Sequence, residues 1–459
     1  MMAMALAAIL AQQPVVAADT AGRPCVIQID SIGHNYQEVT VRPGEKNYFA
    51  GGGVLAHCQG TGSVLSADSV ALFASVGRFD MIGQKNPVHI RDTAMTLDAT
   101  TAAYFMRQER LDAHKNVVAV NRNSGSVLRG PNLTYYRALK GVRDTLEMYA
   151  TGRPTIDYRG SADSAEPYVI VADRVRFKGN DRMWGGGTVT IDRSDFAARG
   201  DSMQLDQLAG FGLLLGKPRV EGKGTESYTL TGTRIELGLK GHDIQLVKAL
   251  GNGVATGSDW HLTADTIHLR LDRKKLQEAF AWGPKDSVRA RAVSSVTTIR
   301  ADSLALDVPE QVLTEVRAFG HAFSTLKRDS TAQRDSTAKR DTTPDWIAGD
   351  SLTAHWAQEA DPPRSAQPKS TLRHLVSRGS ARVLTHQYNQ RDSLPSVNYS
   401  RGAKIDITLA AGKVDRVFVT GRADGVQLEP APPDTTKKQP SDTTKKAPDK
   451  TKKPKAPVR

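Results

Sequence analysis

Apolar residues recur on alternate positions in short bursts along this chain, and each burst opens with a small residue followed by Asp. The phrase reads apolar, any, Ala or Gly, Asp, any, apolar, any, apolar. Its clearest copies begin at Leu65, Ile170, Leu262, Ile299 and Ile347, and looser ones begin at Leu128, Ala198 and Leu230, with degenerate copies around Asp98 and Ala403. With the fourth position as anchor (68, 98, 131, 173, 201, 233, 265, 302, 350, 403), the interior spacings are mostly about 28 to 37 residues. A fixed period of this size is the mark of stacked copies of one small unit.

Period-two alternation predicts strands with one buried face, as at Val175 and Phe177 or Ile267 and Leu269. Between anchors runs a second apolar segment with Gly or Asn inside it: residues 111–120, 183–191, 247–256, 316–324 and 417–426. Gly and Asn accept the positive φ that turns and bulges need, so the unit reads strand, turn, strand. About ten units predict an all-β chain of roughly twenty strands, with almost no helical periodicity.

The anchor Asp reads as structural: a carboxylate beside a small residue suits a bend in which it accepts backbone hydrogen bonds. Pro131 and Thr233 replace it in two copies, which a repeated catalytic role would not tolerate. The glycine strings Gly210–Gly216 and Gly251–Gly257 lack the spacing and following helix of a nucleotide loop, so they are expected to be repeat turns. No nucleophile elbow or convergent carboxylate pair is present, so neither a catalytic residue nor a cofactor is assigned, and no enzyme is expected.

Composition narrows the setting. The 459 residues are 39% hydrophobic and only 6% aromatic, which suits a long thin core better than a thick one. No apolar run reaches the length of a membrane helix. Residues 1–18 read as a signal peptide, with a short apolar stretch and a small-residue cleavage site, although no Lys or Arg precedes the apolar part. Export places the chain in the periplasm, with outer-membrane association as an extension of that reading. Cys25 and Cys58 could pair there, but spacing alone does not decide it. Two cysteines and eleven scattered histidines give no metal-ligand spacing.

The net charge of +13 is concentrated in part at the carboxy terminus, where residues 429–459 carry +5, many Pro and Thr, and a duplicated Asp-Thr-Thr-Lys-Lys string. Residues 430–459 are expected to be a disordered basic tail. Two readings stay open for it, an arm for anionic surfaces and a solvating spacer. Without aromatics among the lysines it does not suit nucleic acid. A second low-complexity stretch, residues 325–346, divides the repeats into 26–324 and 347–429.

The Ala-Asp-x-apolar-x-apolar strands, each followed about twenty residues on by an apolar-x-x-x-Gly-x-Val strand, resemble the OstA-like family of lipopolysaccharide-transport proteins. That family includes LptA, LptC and the amino-terminal domain of LptD. Residues 49–73 and 110–136 are nearest to its style, and the likeness spans most of the repeat region. The resemblance implies an extended open β-jellyroll of two facing antiparallel sheets whose apolar groove holds acyl chains. It further implies lipopolysaccharide or another glycolipid as ligand, and Lpt-type bridge or translocon components as partners through edge-strand pairing. A homo-oligomer formed the same way is also expected. On this reading the residues two and four past each anchor face the lipid: Val70, Leu72, Val175, Phe177, Ile267, Leu269, Leu304 and Leu306. The opposing reading of the same residues is plain core packing. Three features depart from the family: unusual length, no carboxy-terminal barrel strands, and a polar tail. A structural or adhesive β-solenoid without lipid cargo is the alternative function, and a carbohydrate-acting β-helix enzyme fits the rung length poorly.

Overall fold

The computed structural model describes residues 25–59, 62–159, 166–224, 227–284, 289–309, 312–326, 344–358, 370–387, 395–410 and 413–429. The expected signal peptide, the basic tail and most of the low-complexity insert lie outside these. Strand pairing runs to Leu326 and resumes at Asp345, so the insert is shorter at both ends than the composition suggests.

The described chain is all-β: 31 strand segments joined into one antiparallel ladder, with a single 3-10 turn at Met106–Gln108. Successive pairings lay the chain out as rungs, each crossing two walls. Thirteen long strands, such as Val64–Phe73 and Trp260–Asp272, contribute to both walls. Eighteen short ones serve a single wall, nine to each, so both walls are 22 rungs deep among the described residues. The strand Val64–Phe73 shows the arrangement. Residues 69–73 pair with Arg78–Ile82 in the first wall, and residues 64–66 pair with Val88–Arg91 in the second. The sequence reading of roughly twenty strands counted rungs, because a rung broken at the crease still gives one hydrophobic burst per wall.

The crease explains the anchor. Between Thr266 and Ala264 the register steps past Asp265, which faces two residues, Gly251 and Asn252. Asp201 faces Gly187 and Thr188 in the same way, and Asp350 faces Gly320 and His321. Both members of each facing pair have positive φ, for example 75° at Gly320 and 48° at His321. A two-against-one bulge of this kind bends the ladder sharply, and repeated on every second rung it folds one sheet into two facing walls. Backbone bonds carry the ladder through the bend, as from Asp302 N to the Gly320 carbonyl at 2.9 Å. Glycine is demanded there because an added Cβ would come within 2.2 Å of the Asp302 carboxylate.

Two expectations are corrected here. The second anchor is Thr100, not Asp98: the Thr100 N–H bonds across the crease to Lys115 O at 2.9 Å, while Asp98 lies two residues back inside a strand. Of the glycine strings, Gly210 and Gly257 lie in turns between strands as expected, whereas Gly216 and Gly251 sit at creases between the walls, because positive φ is needed where the sheet folds over.

One face of each wall is apolar, and the residues on these faces form one continuous buried cluster from Cys25 to Leu409. The walls therefore face each other along the described length. They are sheared. Tyr158, on the eighth rung of the second wall, bonds to Gln207, in the turn joining the eleventh and twelfth rungs of the first. Tyr168 reaches the His242 carbonyl with a similar offset. This stagger of three to five rungs leaves two overhangs, the first wall at its start and the second wall at its end. Inward-facing positions are polar there: Glu38 and Lys46 form an ion pair at one end, and Asn398, Ser400 and Gln427 occupy the other. Polar inner faces at both ends cap the apolar interior within the molecule.

Candidate functional site

Opposite the crease, the free ends of the two walls form a long mouth. Two apolar clefts open along it, end to end. The first lies between Met95, Leu128 and Ile156 on the second wall and Met148, Tyr135 and Phe177 on the first, with a volume of about 50 Å³. The second lies between Ile170, Ile191 and Phe196 and the facing Met203, Leu214 and Leu239, with a volume of about 40 Å³. Tyr158 borders both and divides them.

Polar contacts span the mouth at intervals. The Tyr158 hydroxyl donates to Gln207 Oε1 at 2.7 Å, Tyr168 to the His242 carbonyl at 2.9 Å, and Asn121 Nδ2 to Asn180 Oδ1 at 3.1 Å. Arg193 reaches Asp243 at 3.6 Å. Burial pushes the Tyr158 hydroxyl up to about 12 and raises Tyr168 as well, so both remain neutral donors over the whole physiological range. These struts are few and individually weak, each worth about 1 kcal/mol net. The second cleft beneath them is lined by apolar surface alone, and the first is mostly apolar with Asn121, Ser124, Ser126 and Asn180 at its border.

The eight residues expected to face lipid divide by depth. Val70, Val175, Ile267 and Leu304 lie next to the crease and are buried at the base of the trough, with Ile267 fully inaccessible. Leu269 and Leu306 are buried as well. Leu72 and Phe177 are half-buried, and Phe177 lines the first cleft. Sequence reasoning missed the cleft residues on the second wall, Ile156, Tyr158, Ile170 and Ile191. Their signal is the alternation on the second-wall side of each crease, before the anchor at Ile170 and after the glycine at Ile156, Tyr158 and Ile191, which predicts a buried face but not its depth.

The amino-terminal end of the mouth is closed by a covalent and polar clasp. Cys25 and Cys58 form a disulfide. The Cys25 amide donates to Glu109 Oε1 at 2.7 Å, the Tyr104 hydroxyl donates to the same carboxylate, and Arg137 lies 3.5 Å from it. Burial, reinforced by the Glu109 carboxylate, raises the Tyr104 pKa well beyond its ordinary value. The buried charge of Glu109 is thus met by three partners.

One anchor shows the expected carboxylate chemistry in full. Asp68 accepts backbone N–H bonds from Gln84, Lys85 and Asn86, which hold its pKa down at about 2, against an ordinary 3.8. A depressed carboxylate pKa means that its stabilisation is present above the unfolded value and lost as the pH falls through the folded one. Replacing Asp68 by Ala is therefore expected to lower the melting temperature at pH 5. The difference from wild type should shrink as the pH drops from about 4 to about 2; a difference that persists unchanged at pH 2 would contradict this capping role.

No group of three or more His, Cys, Asp or Glu side chains among the described residues is placed to hold a metal ion. Comparison with protein-family models and with curated proteins finds no match to this chain.

Proposed function

We propose that the protein binds the acyl chains of a lipid, with lipopolysaccharide or a related glycolipid as the class favoured by the repeat pattern, and carries it through the periplasm toward the outer membrane. The observation that carries this reading is the pair of apolar clefts lying end to end along the mouth between facing walls. Burying a methylene there is worth about 0.8 kcal/mol, so a tail of a dozen carbons would offset the loss of several struts. Clefts of about 40 and 50 Å³ hold only a small part of a tail, so loading requires the walls to part at the mouth. Rupture of the Tyr158 to Gln207 strut would join the two clefts into one. The headgroup would remain outside, at the polar lip formed by Asn121, Asn180, Gln207 and His242. Among the described residues the edge strands at the two ends pair on one side only, which would suit Lpt-type components or another copy of the chain.

A structural rod is the second reading. It is favoured by the packing of the trough, where six of the eight pattern-selected residues are buried, and by the polar overhangs. Photo-crosslinking in cells separates the two. A crosslinker at Phe177 or Leu239, in the clefts, is expected to give glycolipid adducts, and one at Ile267, in the base, is not. Well-expressed protein that yields no lipid adduct at either cleft position would sink the carrier reading and leave the rod.

A further inference from the structure

The outward face of the second wall carries a feature unrelated to the trough. Following the strand register from rung to rung next to the crease, one continuous row passes through Arg199 and Arg219, then Arg291 and Arg300, then Arg382 and Arg401. Each pair is directly opposed across neighbouring strands, and all six side chains are exposed. Like charges in that position repel and weaken a sheet. Carboxylates relieve only two of the six: Arg219 bonds to Glu221 and Arg401 to Asp424. Arg199, Arg291, Arg300 and Arg382 have no ion-pair partner among the described residues. Earlier on the same row the pattern is absent: Leu55, Ser66, His89, Asp98 and Val118 precede one arginine, Arg129, which is paired with Asp157.

Each of the three pairs keeps at least one arginine without a carboxylate, and an anion lying across the pair would relieve the remaining repulsion. With rungs about 4.8 Å apart, the three pairs span about 50 Å along the stacking axis. The array is one row wide, so it suits a single extended chain and not a flat surface. Thr231, Val254 and Thr263 continue the row between the first two pairs, and Thr229 and Thr325 flank it, so the threonines offer hydroxyl partners beside the guanidinium groups. The rings at the row are already engaged: Phe323, opposite Arg300 on the row itself, lies under the Arg300 guanidinium at 5.8 Å and stacks on Trp346 at 5.8 Å, and Trp346 packs on Tyr399. That leaves no free aromatic platform of the kind that single-stranded nucleic acid requires. We propose that this row is a binding site for a linear acidic polysaccharide, whose carboxylates bridge the opposed arginines. It is a second site, on the opposite side of the wall from the lipid clefts, and does not depend on the lipid reading.

The test uses the full chain and polygalacturonate as probe. Wild type is expected to bind with a steep dependence on salt, as multiple ion contacts require. The variants R291T/R300T and R382T/R401T should each weaken binding at least tenfold and flatten the salt dependence, and the quadruple variant should weaken it about a hundredfold. R129T, on the same row outside the array, should leave affinity within twofold. Because threonine favours exposed strand positions and repulsion is relieved, the double variants should melt no lower than wild type. Unchanged affinity in the quadruple variant would overturn the proposal. So would a marked fall in melting temperature, which would make the arginines structural, or tighter binding of polyuridylate than of polygalacturonate with the same variant dependence.

Discussion

Replacing Gly320 by valine is expected to destabilise the crease by about 3 kcal/mol, combining left-handed backbone strain for a branched residue with overpacking against the neighbouring rung. Gly320 has φ of 75°, and its added Cβ would lie 2.2 Å from Asp302 Oδ2. In a stack where each rung touches only its neighbours, such a loss stays local and does not lower the whole unfolding curve evenly. Amide exchange across residues 299–324 should therefore speed up about a hundredfold, while residues 128–136 keep their protection. A double-mutant cycle separates the two causes. Gly320→Ala in an Asp302→Ala background should recover the part due to the carboxylate and keep the part due to φ. If exchange at the crease is unchanged in Gly320→Val, the steric account of the repeat is wrong.

Removing the disulfide by Cys25→Ser together with Cys58→Ser is expected to cost about 3 to 4 kcal/mol on the chain-entropy view, given a sequence separation of 33. The loss should again be confined, here to the first two rungs and the Glu109 clasp. Without the disulfide, the bond from the Cys25 amide to Glu109 is left to hold the amino-terminal strand against the mouth. Limited trypsin digestion should then cut within residues 26–46, for instance at Arg42 or Lys46, while wild type resists. Equal resistance of the double variant would show that strand pairing between Val26–Arg42 and Glu45–Gln59 suffices by itself.

Both predictions bear on how much of this molecule is legible in one dimension. The anchor and the glycine of the next rung are visible as a pattern because each is a local steric requirement: Asp302 occupies the space that a side chain at 320 would need. The shift from Asp98 to Thr100 was not legible, since the anchor there carries no carboxylate and the facing positive-φ pair is Lys115 and Asn116, with no glycine to mark it. Among the pattern-selected lipid residues, Val175 and Phe177 carry the same alternation signal. One is at the packed base and the other at the open cleft. Alternation reports which face of a strand is buried, and distance from the crease is a property of the folded pair of walls.

By itself the sequence determined the strand faces, their period, most of the anchors at which the ladder bends, and hence an elongated all-β body, because backbone dihedrals and side-chain alternation are set by near neighbours. Only the tertiary structure decided the stagger between the walls, the placing of Tyr158 across the mouth, the pairing of Cys25 with Cys58, and the alignment of six arginines from six strands. Those depend on register between segments distant in the chain, where one step of slippage moves every side chain to the other face.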